Sequence, residues 1–134
     1  MRYMLNTNAI SHLIQGNMAI GQKLASLPMS AICISAVTEG ELRYGLAKRP
    51  TFVRLHTAVE ELLRRVDVLP WDTSVAKSYG DLRAELETKG RVLQSLDMMI
   101  AAHAFSINLI LVSNDKAFAM VNGLKLEDWT QSQS

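Results

Sequence analysis

Four polar side chains that are far apart in the sequence each stand near a point where a strand or helix is predicted to begin or end. They are Asn6, Glu41, Asp97 and Asp115. Carboxylates brought together repel each other and raise each other's pKa values unless a cation compensates, so a hard divalent ion is the natural occupant of such a cluster. Carboxylate and amide oxygens, with no His or Cys pair at ligand spacing, favour magnesium or manganese over zinc. The chemistry of such a site is metal-assisted hydrolysis of a phosphodiester.

Short apolar runs alternating with helical patterns predict the elements that would position these side chains. Strands are predicted at Tyr3–Leu5, Ile32–Ser35, Val66–Leu69, Leu109–Val112 and Leu124–Leu126. Helices are predicted at 9–14, 18–27, 52–65, 73–88 and 96–106, and another runs from Ser35 or Thr38, either of which could cap it, to Ala47. Asn8 is predicted to cap the first helix and Ser95 the last. This alternation predicts a single three-layer α/β/α domain over residues 1–134, with a parallel central sheet.

The predicted topology brings the four polar positions to one edge of the sheet, because right-handed crossovers align the carboxyl ends of parallel strands. A purely structural role remains open for each position. Asn6 suits an ordinary cap or turn, Asp97 suits the first turn of a helix, and Asp115 suits a turn. His103 and Cys33 lie in apolar surroundings and are expected to be core residues.

Composition excludes several classes of protein. The 134 residues are 49% hydrophobic, which is enough for a buried core and is unlike a disordered chain. No apolar run approaches the roughly 20 residues that span a bilayer, and no leader precedes the first strand, so we expect a cytoplasmic protein without a membrane partner.

The net charge of +1 is unevenly distributed along the chain. Residues 1–66 carry a net +4 and residues 67–134 a net −3. Lys48, Arg49, Arg54, Arg64 and Arg65 account for much of the positive excess. They could form a patch for a polyanion or simply a solvated helix face.

Four motifs in order, followed by a closing Glu127-Asp128-Trp129, resemble the PIN-domain ribonucleases of the VapC toxin type. The motifs are Met4-Leu5-Asn6-Thr7-Asn8, then Ser35-x-x-Thr38-x-x-Glu41-Leu42-x-Tyr44-Gly45, then Asp97-x-x-Ile100-Ala101-Ala102-His103-Ala104, and finally Leu111-Val112-Ser113-Asn114-Asp115-x-x-Phe118. The resemblance covers essentially the whole chain. It implies a PIN-like fold and a Mg²⁺- or Mn²⁺-dependent endoribonuclease that cleaves structured RNA, and tRNA in particular, with metal-activated water. It also implies the toxin of a bacterial toxin–antitoxin pair, with a VapB-like antitoxin, a homodimer and a toxin–antitoxin hetero-oligomer.

Carried onto this sequence, the family's acidic quartet falls on the four positions named above. These positions are then the implied catalytic residues and metal ligands, with Thr7, Asn8, Ser113 and Asn114 orienting them. Lys48, Arg49 and Arg54 are candidates for holding the RNA backbone.

The sequence departs from the family at Asn6, where the pattern has aspartate. Asparagine keeps the shape and one oxygen but loses the charge that binds a cation, so we expect little or no activity. The change has either an engineered or a natural origin.

Two other classes of function stay open. One is a catalytically dead module that only binds RNA or antitoxin, and the other is a phosphohydrolase of small nucleotides. The helices between Met18 and Leu63 carry apolar stripes that exceed what one small domain can cover, which suits an antitoxin peptide. Such a peptide could also place a basic side chain in the acidic pocket.

Overall fold

The protein, described here by a computed structural model for residues 2–131, is built on a five-stranded parallel sheet. The strands are β1 (Tyr3–Leu5), β2 (Ile32–Ser35), β3 (Asp67–Leu69), β4 (Ile110–Val112) and β5 (Lys125–Glu127), in the spatial order β3-β2-β1-β4-β5. Every pair of neighbouring strands is parallel. The first strand therefore lies at the centre of the sheet, and all the carboxyl ends lie at one edge. The predicted parallel sheet is confirmed.

Six helices cover the sheet. They are α1 (Thr7–Ile14), α2 (Met18–Ala25), α3 (Ala36–Lys48), α4 (Val53–Arg65), α5 (Thr73–Thr88) and α6 (Ser95–Ser106). Two short 3-10 turns, Met29–Ala31 and Lys116–Met120, were not predicted. Gly16 follows α1 with a φ of 91°, a left-handed conformation that suits glycine and ends the helix where the sequence indicates. Among residues 2–131, no helix is both long and apolar enough to cross a membrane.

Alternate residues along each strand face two separate hydrophobic layers. Met4 and Leu111 join the layer under α5 and α6. Leu5, Ile34 and Val112 join the layer under α1, α2, α3 and α4. Because side chains of a strand point to opposite faces in turn, this division requires helices on both sides of the sheet. It confirms the α/β/α sandwich.

The structure corrects two of the predicted helix caps. Ala9 N–H donates to Asn6 Oδ1 at 2.9 Å, so Asn6, and not Asn8, caps a helix that begins two residues earlier than predicted. The last helix begins at Ser95 itself, and Gln94, which precedes it, makes no capping hydrogen bond with its side chain. In both places the chain turns earlier than the apolar periodicity suggests.

The alternatives left open at the start of α3 are resolved in favour of Ser35. Val37 N–H donates to Ser35 Oγ at 3.1 Å, whereas Thr38 lies inside the helix and is fully buried. The predicted core residues are also confirmed. His103 is buried, and burial of Cys33 raises the pKa of its thiol to about 11, which leaves it protonated and unreactive.

Candidate metal centre at the carboxyl edge of the sheet

The ends of the two central strands place Asn6 beside Ser113. Leu5 of β1 pairs with Val112 of β4, and the Asn6 backbone N–H donates to the Val112 carbonyl at 3.1 Å. The next residue on each strand is therefore brought to the same level of the sheet. Asn6 Nδ2 donates to Ser113 Oγ at 3.0 Å, and both side chains are buried. The sequence separates these residues by 107 positions, and the parallel sheet joins them.

Ser113 also organises the turn that carries Asp115. Its Oγ accepts a second hydrogen bond, from Asp115 N–H at 3.0 Å. Asp115 Oδ1 in turn accepts from Ala117 N–H at 2.9 Å and caps the 3-10 turn that follows. Asp115 therefore has the structural role that its turn position suggested, and it has this role at the edge where the metal site was predicted.

Glu41 reaches the same region from the middle of α3. Thr7 Oγ1 donates to Glu41 Oε1 at 2.5 Å, which ties the first turn of α1 to α3. Because Thr7 directly follows Asn6, this short hydrogen bond holds the Glu41 carboxylate beside the end of β1. Thr7 thus contacts one of the candidate ligands, and its orienting role stays a prediction.

Asp97 in the first turn of α6 completes the set electrostatically. Partial burial raises the pKa of its carboxyl group above the usual value, and the negative charges of Asp115 and Glu41 raise it further. A carboxyl group responds in this way only to charges within electrostatic range, so α6 brings Asp97 towards the two other acids. A cation bound beside Asp97 would relieve the repulsion that its carboxylate experiences from the charges of Asp115 and Glu41.

The donor set fits a hard divalent ion in its chemistry, since it offers oxygen atoms and negative charge. Within residues 2–131, however, no three His, Cys, Asp or Glu side chains are arranged so that they could hold an ion together. The side-chain amide of Asn6 already makes two hydrogen bonds. Its Oδ1 accepts from Ala9 N–H, and its Nδ2 donates to Ser113 Oγ. The assignment of Asn6, Glu41, Asp97 and Asp115 as ligands therefore stays a prediction.

His12 lies near the candidate site and was not among the residues predicted from the sequence. Asn114 Nδ2 donates to His12 Nε2 at 3.1 Å, which ties the second turn of α1 to the end of β4. The available signal was spacing, because positions 8 and 12 lie on one face of a helix, and Asn8 was already a candidate. Asn8 Oδ1 is buried without a hydrogen-bond partner among the described residues.

The structure separates the three candidate RNA-binding residues. Arg49 lines a cavity together with Thr7 and Glu41. Lys48 extends its ammonium over the ring of Tyr44, 5.0 Å from the centroid. Arg54 lies instead beside an apolar depression with Phe52 and Val53. Arg49 therefore shares a cavity with the candidate ligand Glu41.

The PIN domain family matches residues 3–124, which contain all four candidate ligands and the whole parallel sheet except β5. The chain belongs to the PIN-domain family, in its VapC-type branch. The tRNA(fMet)-specific endonuclease VapC of Shigella flexneri is 38% identical over 131 residues, which cover 97% of this PIN domain chain and 99% of that protein. The enzyme of the same name from Salmonella typhimurium is 36% identical over 96% of this chain and 98% of its own length.

Solved structures of PIN domains agree with this assignment. The DNA-bound VapBC of Salmonella typhimurium superposes with a TM-score of 0.89 at 37% identity and covers 96% of this chain and 98% of that one. VapBC2 of Rickettsia felis, bound to a DNA fragment from its promoter, gives a TM-score of 0.89 at 32% identity, over 96% of this chain and 99% of that one. The strand order and the central position of β1 thus belong to the VapC-type PIN fold.

Proposed function

We propose that residues 1–134 form a single PIN domain that is the toxin of a type II toxin–antitoxin pair and acts on RNA in the cytoplasm. Its site is that of a Mg²⁺- or Mn²⁺-dependent endoribonuclease for structured RNA, and for tRNA in particular. The observation that carries the proposal is that hydrogen bonds hold two acids beside the end of β1, from Thr7 Oγ1 to Glu41 and from Asp115 N–H to Ser113 Oγ. The negative charges of both acids raise the pKa of Asp97. Two relatives at 38% and 36% identity are named as tRNA endonucleases, which supports the substrate class.

In this proposal the chain's own residues divide the work at the site. Glu41, Asp97 and Asp115 hold the cation and set the negative charge around it. Thr7 holds the Glu41 carboxylate, and Ser113 holds the turn that carries Asp115. A bound divalent ion supplies Lewis-acid stabilisation of the phosphodiester's developing charge and lowers the pKa of water. Asn8 follows Thr7 and Asn114 precedes Asp115 in the sequence, and in this proposal both contribute polar groups that orient the ligands.

Asn6 makes this form of the protein weak or inactive. The amide preserves the helix cap and the contact with Ser113, so the fold does not need the missing charge. The cation does need it, because each ligand charge lost at contact distance weakens the binding of a dication. By analogy with other single electrostatic groups, we expect a loss of ~10²-fold or more in turnover. The change is either engineered or natural in origin.

The experiment restores the charge with Asn6→Asp and measures cleavage of tRNA with Mn²⁺, with Mg²⁺ and with a chelator. We expect cleavage that requires metal in the variant and cleavage at least ~10²-fold slower in the Asn6 form. Asn17→Asp is the matched control, because Asn17 also caps a helix, through a hydrogen bond from Ile20 N–H. It should leave activity unchanged.

Three results would count against the proposal. Equal cleavage of tRNA by the Asn6 form and by Asn6→Asp would show that activity does not depend on a negative charge at position 6. Binding of RNA or antitoxin without cleavage by Asn6→Asp would instead indicate a pure binding module. Turnover of mononucleotides without cleavage of RNA would indicate a phosphohydrolase.

Binding of the RNA backbone is assigned to Lys48, Arg49 and Arg54. All three are exposed and lie on the positive half of the sequence. Each phosphate contact that is lost should lower the slope of log K against log salt by about 0.7 to 0.9. Replacement of one of these residues by Ala should therefore flatten the salt dependence, and an unchanged slope would remove that residue from the interface.

A VapB-like antitoxin would occupy the apolar surface formed by α1, α2 and α4. Depressions there are lined by Leu13, Ile14, Leu24, Met29, Ala58 and Leu62, with Phe52 and Val53 more than half exposed beside them. An amphipathic helix can bury such a surface. Matching structures include VapBC complexes, which supports a toxin–antitoxin hetero-oligomer. The homodimer within it stays a prediction.

A further inference from the structure

The hydroxyl group of Ser113 joins the ends of the two central strands at the candidate metal centre. Ser113 directly follows β4, and only 2% of the residue is exposed. Its Oγ lies 3.0 Å from Asn6 Nδ2 and 3.0 Å from the backbone nitrogen of Asp115. An amide NH2 group and a backbone N–H can donate a hydrogen bond but cannot accept one. Ser113 is therefore the acceptor in both hydrogen bonds, provided that the amide of Asn6 has the orientation described.

The helix cap fixes the orientation of the Asn6 amide. Ala9 N–H needs an acceptor at the start of α1, and Asn6 Oδ1 accepts from it at 2.9 Å. A flipped amide would point its NH2 group at this N–H, and two donors would face each other in the interior of the protein. Nδ2 is therefore the group that faces Ser113.

Both acceptor positions of Ser113 Oγ are consequently occupied. A serine hydroxyl has two lone pairs and one proton. One lone pair accepts from Asn6 Nδ2, and the other accepts from Asp115 N–H. The hydroxyl proton of Ser113 therefore points away from both residues, and its oxygen has no lone pair left for another group in the site.

The substitution Asn6→Asp would reverse the first of these hydrogen bonds. A carboxylate can only accept, so while one of its oxygens caps α1, the other would accept the hydroxyl proton of Ser113. Ser113 would still accept from Asp115 N–H, and its second lone pair would become free. A hydrogen bond to a carboxylate is also charge-assisted, which makes it stronger than one between two neutral groups.

We infer that Ser113 is a positioning residue and that residue 6 sets the direction of its hydrogen bond. This inference rests on the proposed function and adds to it a second reason why the Asn6 form is weak. With a carboxylate at position 6, the Ser113 hydroxyl holds that carboxylate as a ligand and keeps a lone pair that can accept from a water molecule in the site. Asn6 removes the ligand charge and also occupies this lone pair.

A purely structural role for Ser113 makes a different prediction. Ser113 also holds the turn that carries Asp115, and this contact does not depend on the residue at position 6. Loss of the hydroxyl group would then affect the Asn6 form and the Asn6→Asp variant equally. A positioning role instead makes the effect at position 113 depend on position 6, and a double-mutant cycle measures this coupling.

The test measures the Kd of Mn²⁺ by titration calorimetry for Ser113→Ala in the Asn6 chain and in the Asn6→Asp background. We expect Ser113→Ala to weaken Mn²⁺ binding by ~10- to 100-fold in the Asn6→Asp background and by less than about 2-fold in the Asn6 chain. Ser113→Thr keeps the hydroxyl group and should preserve the affinity of Asn6→Asp. In that background Ser113→Ala should lower kcat for tRNA cleavage and leave KM unchanged, because buried Ser113 does not reach the RNA.

Ser35→Ala is the matched control for loss of a buried hydroxyl group. Ser35 also lies at the end of a strand, and its Oγ accepts from Val37 N–H, two residues further along the chain, at 3.1 Å. Its other hydrogen bond is with His103, so it does not contact residue 6. We expect Ser35→Ala to change the Kd of Mn²⁺ by the same factor in both backgrounds.

A second measurement needs no metal. Neutron diffraction from deuterium-exchanged crystals grown with a chelator locates the hydroxyl deuteron of Ser113. We expect this deuteron to point away from residue 6 in the Asn6 chain and towards the new carboxylate in Asn6→Asp.

The outcomes separate this inference from the proposed function. An equal effect of Ser113→Ala on the Kd of Mn²⁺ in both backgrounds overturns the inference, and so does a Ser113 deuteron with the same direction in both forms. Metal-dependent cleavage by Asn6→Asp alongside either result leaves the nuclease intact. Absence of Mn²⁺ binding and of cleavage in Asn6→Asp overturns the proposed function, whereas a deuteron that changes direction still supports the dependence of Ser113 on residue 6.

Discussion

His103 Nδ1 and Ser35 Oγ lie 2.8 Å apart in the interior of the protein and share a hydrogen bond. Ser35 ends β2 and caps α3, the helix that carries Glu41. His103 lies on α6, the helix that carries Asp97. Both side chains are fully or almost fully buried. A single buried contact therefore links the two helices that bring Glu41 and Asp97 to the candidate site.

The free energy of unfolding should fall in mild acid because of His103. Burial lowers the pKa of its imidazole below 6.5, an effect only partly offset by the charge of Asp72. Below about pH 6.5 the unfolded chain therefore binds a proton at His103 that the folded chain does not bind. The contribution of neutral His103 to the free energy of unfolding is fully present above that pH and is lost as the pH falls. Urea denaturation at pH 7.5 and pH 5.5 should show this loss.

A His103→Gln variant provides the control for this titration. It should be less stable at pH 7.5, because Ser35 loses its partner, and it should show a smaller difference in stability between the two pH values. A difference as large as that of the unmodified chain would assign the acid sensitivity to other groups.

Replacement of Asp97 should separate stability from metal binding. Asp97→Asn removes a charge that burial, Asp115 and Glu41 disfavour, while it preserves the shape of the side chain. We expect a higher Tm in a chelator at pH 7.5 and a smaller rise in Tm on addition of Mn²⁺. Differential scanning fluorimetry measures both. Asp81→Asn, on the exposed side of α5, should change neither quantity. An undiminished Mn²⁺ response in Asp97→Asn would remove Asp97 from the ligand set.

A charge in the apolar surface of α4 should block association with an antitoxin. Ala58 lines both apolar depressions, so Ala58→Glu would bury a carboxylate in the proposed interface. Unpaired charges at the centre of an interface cost about 2 kcal/mol or more, which is a loss of roughly 30-fold in affinity. Thr57→Glu is the control on the same helix, since Thr57 is exposed and lines neither depression. Co-purification and titration calorimetry with the antitoxin peptide would show the difference, and equal binding by both variants would place the antitoxin elsewhere.

Trp129 should contribute strongly to stability although it follows the last strand. Its ring meets Tyr3 edge-on with centroids 5.0 Å apart, and its Nε1 donates to Glu127 Oε1 at 2.9 Å. Only 5% of the residue is exposed. Trp129→Ala should cost about 3–5 kcal/mol in the free energy of unfolding. Trp129→Phe should cost less than half as much, because it keeps most of the buried area, and an unchanged denaturation midpoint for Trp129→Ala would show that the closing segment is dispensable.

The sequence alone determined the order of the elements and most of their bounds. Predicted strand ends differ from the structure by at most one residue, and α5 has the predicted bounds Thr73–Thr88. The physical reason is local. A strand buried on both faces must be apolar throughout, and a helix with one buried face must repeat its apolar residues every three to four positions. The four motifs, each a short run of neighbouring residues, were likewise enough to indicate the PIN family.

The caps and the connections of the site required the tertiary structure. Asn6 and Asn8 are equally suitable caps in sequence, and the choice is made by the pairing of β1 with β4, which fixes where the chain leaves the sheet. The contacts of Asn6 with Ser113 and of His12 with Asn114 join residues more than 100 positions apart. Such contacts leave no local periodicity, because they depend on which strands are neighbours. Residue types therefore predicted the kind of chemistry, and the parallel sheet decided which side chains meet to perform it.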